Sequence, residues 1–436
     1  MSDLLRICTA GSVDDGKSTL IGRLLYDSRA VYEDQVRSVE AASRNRTAGP
    51  IDFSLFTDGL RAEREQGITI DVAYRYFATA RRKFILADTP GHDQYTRNMA
   101  TGASTADLAI LLVDARHGIR PQTQRHARIA TLLGISRFVL AVNKMDLVGF
   151  ERRVFDDIVQ EFGTLANDAE LHAIPMSALD GDNVTTASER TPWFAGPSLL
   201  EHLETVRVDR PLHGAAASAA FRFPVQLVVR PDHEFRGYAG QIASGRIRTG
   251  DRIAVWPSGL STTVKRIVTW EGDLMEAFAP MSVTLVLDDE LDISRGDLLA
   301  TGALSVGRRF SANVVWMDER PLDPERLYVL KHNTRSVTAH LARPLSLNEI
   351  GTVAVSAAQP LVFDPYGENR TTGSFVVIDP ATNFTAGAGM IVRALDDERR
   401  APTGAAASRI AAAARAAASD REASEAVQRL LEEMLT

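Results

Sequence analysis

Residues 11–18 constrain this chain more than any other stretch, because their sequence, GSVDDGKS, fits the phosphate-binding pattern G-x-x-x-x-G-K-[ST]. An apolar run at residues 4–8 precedes the loop and a helical pattern at residues 19–26 follows it. In that context backbone N–H groups can face phosphate oxygens, Lys17 can reach the β- and γ-phosphates, and the Ser18 hydroxyl can ligate Mg²⁺. A chance match in a glycine-rich turn is the alternative, which the flanking strand and helix disfavour. The candidate phosphate-binding residues are Gly11, Ser12, Val13, Asp14, Asp15, Gly16, Lys17, Ser18 and Thr19.

Composition narrows the class of protein. A chain of 436 residues has room for two to four domains, and its 45% apolar and 24% charged residues are ordinary for a globular protein. The net charge of −7 argues against a nucleic-acid partner held by bulk charge. The single cysteine, Cys8, excludes an intrachain disulfide and fits a reducing compartment. Because no apolar signal core or 18-residue apolar run is found, we expect a cytoplasmic protein without a membrane partner.

The first half of the chain alternates apolar runs with helical patterns. The predicted strands are residues 4–9, 83–88, 108–114, 138–143 and 172–176, and helical patterns include residues 123–133 and 153–162. Near-continuous apolar strands separated by helices indicate a mainly parallel sheet covered on both faces. We therefore predict an α/β nucleotide-binding domain at residues 1–212.

The pattern changes after an alanine-rich stretch at residues 214–220. Short β-branched runs then recur between glycine turns, as is typical of barrels or sandwiches; they include residues 223–229, 240–247, 251–256, 262–269, 283–287, 310–316, 336–341, 351–355 and 373–378. We predict two small β-barrels, at residues 213–306 and 307–396. The alanine-rich tail, residues 397–436, is predicted to be helical or disordered, and its sequence does not decide between a docking helix and a solvated one.

A second candidate phosphate contact lies about 70 residues after the loop, where the sequence DTPG begins at the end of a predicted strand. Asp88 can hold Mg²⁺ through water, and the Gly91 N–H can bond a γ-phosphate. Loss of that phosphate would release the segment, which would make it a switch. Thr69, upstream in residues 67–70 (GITI), can offer a hydroxyl to Mg²⁺ and a carbonyl to the attacking water, or it can simply start an edge strand.

A base-recognition pattern, NKMD, ends the predicted strand at residues 138–143. Asp146 can accept hydrogen bonds from guanine N1–H and its amine, Asn143 can bond the base and the loop, and the stem of Lys144 can cover the base plane. An adenine would leave the buried carboxylate unpaired, so GTP is favoured over ATP. The N–H groups of Ser177, Ala178 and Leu179, after the next strand, can bond the guanine carbonyl oxygen. Four such matches at strand ends predict a GTP-binding domain.

Two stretches then carry a family resemblance. Residues 63–70 (EREQGITI) and 88–92 (DTPGH) resemble the translation-factor GTPases typified by elongation factor Tu, whose GTPase domain is followed by two β-barrels. That family has histidines where Ser12 and Asp15 stand here. With residues 70–77 (IDVAYRYF) and 94–99 (QYTRNM), the loop instead resembles the GTPase subunits of bacterial ATP sulfurylases, and stretches near residues 295–297, 366–370 and 382–391 agree.

The resemblance implies a function. Its members pair with a smaller catalytic subunit that makes adenylyl sulfate and pyrophosphate from ATP and sulfate, and GTP hydrolysis is coupled to that uphill reaction. It also implies that His92 positions or polarises the attacking water; a capping role at the helix near Tyr95 is the alternative. A translation factor carrying aminoacyl-tRNA is the competing hypothesis, and a regulatory GTPase without a catalytic partner is a third. No second phosphate-loop pattern occurs in the sequence, so we expect no kinase activity.

Overall fold

The computed structural model describes residues 3–31, 33–43, 51–56, 71–92, 95–165, 169–208, 219–232 and 235–395. Strands and helices both occur up to residue 205, and beyond it the described residues contain strands but no helix. The N-terminal elements are β1 (Asp3–Gly11), α1 (Lys17–Asp27), α2 (Glu33–Ser43), β2 (Ala73–Ala78), β3 (Arg82–Asp88), α3 (Thr96–Ser104), β4 (Leu108–Asp114), α4 (Pro121–Leu132), β5 (Arg137–Asn143), α5 (Arg152–Gly163), β6 (Glu170–Pro175) and α6 (Leu199–Thr205). Two short 3₁₀ turns, Phe53–Phe56 and Met145–Val148, complete this part.

The N-terminal domain is built on a six-stranded sheet in the order β2-β3-β1-β4-β5-β6. All neighbouring pairs are parallel except β2 and β3. Every residue of β4 is buried, and separate apolar clusters cover the two faces of the sheet. This confirms the predicted parallel α/β domain, and it brings the carboxyl ends of β1, β3, β4 and β5 to one edge.

The next strands form the first barrel: β7 (Arg222–Pro224), β8 (Leu227–Val229), β9 (Gly237–Gln241), β10 (Arg246–Arg248), β11 (Arg252–Trp256), β12 (Leu260–Thr269), β13 (Gly272–Leu274), β14 (Glu276–Phe278), β15 (Ser282–Leu287) and β16 (Leu298–Ala300). Seven of them follow the order β7-β16-β11-β12-β15-β9-β8, with β13 beside β12 and β10 paired to β14. Because β7, at one end of this order, contacts β9, the second strand from the other end, the sheet curls around its own core.

The second barrel is closed, in the order β17-β20-β19-β18-β21-β22. Its strands are β17 (Ser305–Trp316), β18 (Tyr328–His332), β19 (Arg335–Leu341), β20 (Ile350–Phe363), β21 (Ser374–Ile378) and β22 (Thr385–Ala394). Aromatic and aliphatic side chains fill it, among them Phe310, Trp316 and Phe375. Two barrels therefore follow the α/β domain, as predicted.

Some details differ from the sequence prediction. Residues 240–247, predicted as one strand, form the end of β9 and the start of β10, with a turn between them in which Gly245 has φ 75°. The predicted boundary at 306/307 falls inside β17, whose pairing with β20 already begins at Ser305. The predicted boundary at 212/213 and the tail at residues 397–436 lie outside the described residues.

The two barrels are joined by a buried ion pair. Arg222 of β7 donates from Nε and Nη2 to the two carboxylate oxygens of Asp364, each at 2.9 Å, and their side chains are only 5% and 9% exposed. Thr372 Oγ1 adds a 2.6 Å bond to the same carboxylate. The second barrel also contacts the α/β domain, where Tyr366 Oη donates to the carbonyl of Leu133 at 3.0 Å.

Candidate functional site

The phosphate loop connects β1 to α1 in a conformation that needs its glycines. Gly11, Asp14 and Gly16 have φ of 152°, 68° and 92°, in the region that glycine adopts most readily. A side chain at Gly16 would overlap the amide nitrogen of Asn143. The loop therefore makes a tight turn directly before α1, whose N-terminus favours anions.

Lys17 is folded across the loop. Its Nζ donates to the carbonyl oxygens of Gly11 at 3.1 Å and Ser12 at 2.8 Å. Burial lowers the pKa of Lys17, and the carboxylates of Asp88 and Asp15 partly offset that effect. Asp15 stays inside the loop, where its carboxylate accepts a 2.6 Å bond from the Ser12 N–H. Asp15 thus shapes the loop, and the lysine is held where phosphate oxygens would stabilise its charge.

The DTPG segment leaves the end of β3 directly beside the loop. Thr89 Oγ1 donates to the carbonyl of Thr9 at 2.5 Å, and Asp88 is buried, with 1% exposure. A side chain at Gly91 would overlap Lys17 Nζ and come within 3.2 Å of the Gly11 carbonyl oxygen. Only a glycine lets this segment approach the lysine so closely.

His92 follows that glycine and faces the same cavity. The helix after it, α3, has Tyr95 at its N-cap, with no side-chain cap bond. The His92 carbonyl accepts a 3.0 Å bond from the Tyr95 N–H, so the cap position itself lies three residues beyond the histidine. His92 therefore lines the cavity, and its role in orienting water stays a prediction.

Asn143 connects the loop to the base-recognition segments. Its Nδ2 donates to the carbonyl of Asp15 at 2.8 Å, and its Oδ1 accepts from the Ala178 N–H at 2.9 Å. Both groups are buried, so the amide is engaged within the protein. The predicted bond from Asn143 to the loop is therefore present, and the predicted bond to the base stays a prediction.

The base end of the site is formed by Lys144 and its neighbours. Lys144 Nζ donates to the Asp14 carbonyl and forms a 3.0 Å ion pair with Asp114. Asp146 follows in the first turn of a 3₁₀ helix. The strand β6 leads into Ser177, Ala178 and Leu179, and Arg23 of α1 donates to the Leu179 carbonyl at 3.0 Å.

A cavity of about 520 Å³, within the size range of small-ligand sites, lies between the phosphate loop, the residues after β3 and Lys144. The predicted site residues Asp88, Asn143, Asp146 and 177–179 are not among those that line it. Its lining combines the loop, the start of α1, the residues after β3 and the residues after β4 and β5: Val13, Asp14, Gly16, Lys17, Ser18, Thr19, Ser54, Gly91, His92, Arg116 and Lys144. Gly11, Ser12 and Asp15 lie behind that lining and are buried. Thr69, the other predicted Mg²⁺ ligand, lies outside the described residues.

Two residues beside the loop were missed by the sequence analysis. Arg116 lines the cavity two residues beyond the end of β4. His126 of α4, with 1% exposure, accepts the Gly11 N–H at its Nδ1 at 3.3 Å. Burial, and to a lesser degree the charges of Lys17 and Arg125, lower the pKa of His126 to about 3, so the ring is neutral and carries its proton on Nε2. Neither residue belongs to a recognised motif, and no sequence signal placed them here.

Comparisons with known families agree with this geometry. The family model described as the elongation factor Tu GTP binding domain matches residues 2–221, about half of the chain. A second model, described as GTP-eEF1A C-terminal domain-like, matches residues 338–392 in the second barrel. The α/β domain is therefore a GTP-binding domain of the elongation factor Tu type.

Curated relatives narrow the family. The sulfate adenylyltransferase subunit 1 of Teredinibacter turnerae is 52% identical over 416 residues, which cover 90% of this chain and 88% of that protein. The chain belongs to the sulfate adenylyltransferase subunit 1 family. This confirms the resemblance drawn from Ser12, Asp15 and the stretches around them. The bifunctional enzyme NodQ of Rhizobium sp. (strain N33) is 53% identical over 415 residues, but the chain spans only 64% of its length.

A solved structure supports the fold of this subunit 1 family member. The Ski7 GTPase-like domain of S. cerevisiae, bound to GDP and inorganic phosphate, matches with a TM-score of 0.51 and 18% identity, over 90% of this chain and 97% of that one. At that identity the likeness bears on the fold alone. Within the described ranges, no helix is both long enough and apolar enough to cross a membrane.

Proposed function

We propose that this chain hydrolyses GTP in the cavity described above and that the hydrolysis drives adenylyl sulfate formation by a separate catalytic subunit. One observation carries the first half of the proposal. Lys17, His92 and Lys144, which follow three different strands of the sheet, line the same cavity. Membership of the subunit 1 family supports the second half, since the relatives' name implies a partner subunit.

The chain's own groups supply the chemistry in this proposal. Lys17 neutralises the β- and γ-phosphates, the loop N–H groups hold them, and the Gly91 N–H bonds the γ-phosphate. The hydroxyl of Ser18 and the carboxylate of Asp88 are hard oxygen ligands, the type that Mg²⁺ prefers, and Thr69 would add a third. Mg²⁺ bound there would neutralise charge that develops on the transferred phosphoryl group.

His92 is proposed to orient the attacking water, because it follows the γ-phosphate-contacting glycine and faces the cavity. We expect His92→Ala to bind GTP within about threefold of the wild type and to hydrolyse it about 10²-fold or more slowly, the usual contribution of such a group. Single-turnover hydrolysis measures this directly. His340→Ala, an exposed histidine of β19, is the matched control, and an unchanged rate in the His92 variant would contradict the assignment.

Coupling needs its own experiment, with a candidate catalytic subunit added. GTP turnover is measured with and without ATP and sulfate, and adenylyl sulfate formation with and without GTP. Coupling predicts that each rate responds to the other reaction's substrates, because the GTP and GDP states must interact differently with the partner. If neither rate responds, the chain is a GTPase without this role.

The alternative of an aminoacyl-tRNA carrier is not favoured. The relatives at about 50% identity that match the chain over most of both lengths are named sulfate adenylyltransferase subunit 1. Co-purification of an RNA with the full chain would reopen it. A protein partner that carries adenylyl sulfate synthesis supports the proposal.

A further inference from the structure

The carboxylate of Asp114, the last residue of β4, organises one wall of the nucleotide cavity. It is buried, with 2% exposure. Its Oδ1 accepts the Arg116 backbone N–H at 2.9 Å and Arg116 Nε at 3.1 Å, and its Oδ2 accepts Arg116 Nη2 at 2.7 Å. Lys144 Nζ lies 3.0 Å from the same Oδ2. One buried carboxylate therefore fixes two cationic side chains.

The two cations keep the buried Asp114 carboxylate ionised. Burial alone would raise the pKa of Asp114, but the hydrogen bonds from Arg116 and Lys144 hold it well below its usual range. The carboxylate is thus ionised whenever the protein is folded at ordinary pH. These three groups carry one negative and two positive charges, and the nearby carboxylate of Asp146 offsets the excess positive charge.

Both cations face the cavity, at the end where the base-recognition segment lies. Lys144 belongs to the NKMD pattern and also bonds the Asp14 carbonyl of the phosphate loop. The Arg116 side chain is 42% exposed, and its side-chain bonds to Asp114 use Nε and Nη2, so the Nη1 donors lie outside this ion pair. The carboxylate of Asp146 lies near enough to interact with it electrostatically.

We propose that Arg116 is a further nucleotide-contacting residue, which Asp114 holds against the base-and-ribose end of the guanine nucleotide. A planar guanidinium can stack on a base or donate to its acceptor atoms. The inference rests on the proposed function in one respect, that a guanine nucleotide occupies this cavity. Since GTP and GDP share the base and ribose, the contact contributes equally to both and does not act on the transferred phosphoryl group.

The test compares the affinities of GTP and GDP in the full chain. We expect Arg116→Ala to weaken both by the same factor, about tenfold, the usual loss for a charged hydrogen-bond donor. At saturating GTP, single-turnover hydrolysis stays within about twofold of the wild type. Arg116→Lys keeps the charge but loses the planar guanidinium, so its affinities for both nucleotides should lie between those of the wild type and those of Arg116→Ala. Arg153→Ala, which removes an exposed arginine of α5 paired with Asp157 at 3.8 Å, is the control and leaves both affinities unchanged.

The outcomes separate this inference from the proposed function. Unchanged affinities in Arg116→Ala, or a loss confined to hydrolysis, would overturn the inference while leaving the GTPase proposal standing. A wild-type chain that binds neither nucleotide would overturn both. Because Arg116 also bonds the buried Asp114, Arg116→Ala should lower the unfolding temperature of the nucleotide-free chain, so the affinities are measured at a temperature at which the variant is fully folded. A purely structural role predicts that the folded variant binds both nucleotides as the wild type does, whereas a contact with the nucleotide predicts the loss of affinity given above. Asp114→Asn releases both cations and is expected to weaken binding more than Arg116→Ala.

Discussion

Removing either partner of the buried ion pair between the two barrels should cost the chain several kcal/mol of stability. Besides its two bonds to Asp364, Arg222 donates to three carbonyl oxygens, which belong to Phe221, Thr301 and Ala303. Breaking a buried pair by removing one partner costs about 3–5 kcal/mol, because a charge is left without compensation. The two partners should not be equivalent, since the arginine has more bonds to lose.

Asp364→Asn leaves the guanidinium with its three carbonyl acceptors, so we expect the free energy of unfolding to fall by about 3 kcal/mol. Arg222→Met leaves the carboxylate and the three carbonyls without their donor, so we expect about 5 kcal/mol. The assay is urea unfolding of the full chain followed by fluorescence. Three of the four tryptophans, Trp256, Trp270 and Trp316, lie in the barrels, so the signal reports mainly on them.

The first barrel offers a matched control. Arg266 and Asp273 form a similar two-bond pair, at 2.7 and 3.1 Å, but their side chains are 48% and 46% exposed. Solvent screening makes such pairs weak, so Asp273→Asn should shift the transition little. The reasoning fails if Asp364→Asn destabilises the chain no more than Asp273→Asn does. It also fails if Arg222→Met destabilises the chain less than Asp364→Asn does.

Two further predictions concern the nucleotide domain. Gly91→Ala should weaken the binding of GTP more than that of GDP, because a methyl group there displaces Lys17 Nζ. Titration of each nucleotide measures this, with Gly163→Ala, where a side chain meets open space, as the control. Equal losses for the two nucleotides would contradict the γ-phosphate contact. The lowered pKa of His126 predicts that acid destabilises the fold, because the unfolded chain takes up a proton below about pH 6.5 that the buried ring refuses down to about pH 3. Between pH 7.5 and 5 the wild type should therefore lose about 2 kcal/mol more than His126→Gln in urea unfolding, and identical pH profiles would show that His126 is not the group responsible.

The parts of the site that the sequence predicts are those fixed by strand ends. Each motif follows an apolar run, and a parallel sheet collects the carboxyl ends of its strands at one edge. Lys17, Gly91 and Lys144 therefore meet in one cavity even though the chain separates them by up to 127 residues. Local patterns also predict the change from an α/β domain to barrels, because the spacing of apolar runs shortens there.

The parts that the sequence does not predict are polar contacts between elements that are distant in the chain. The sequence predicts that Asn143 bonds the loop, but not that its Oδ1 also accepts from the Ala178 N–H. His126 lies on a helix whose alternation of polar and apolar residues says nothing about the Gly11 N–H above it. Such partners are chosen by the packing of the helix on the sheet, and many local patterns are compatible with the same packing.

Arg116 shows how far the sequence argument can be extended once the strand order is known. A carboxylate at a strand end with an arginine two residues later is, by itself, equally typical of a solvated turn with its own ion pair. The deciding fact is the register of β4 and β5, in which Asp114 lies opposite Asn143. Adjacent parallel strands that end level bring the first residue after one strand beside the last residue of the other, so Lys144 meets Asp114 and turns a local ion pair into part of the nucleotide site. Both strand ends are predictable from the apolar runs at residues 108–114 and 138–143, whereas the adjacency of the strands is fixed only by the topology of the sheet.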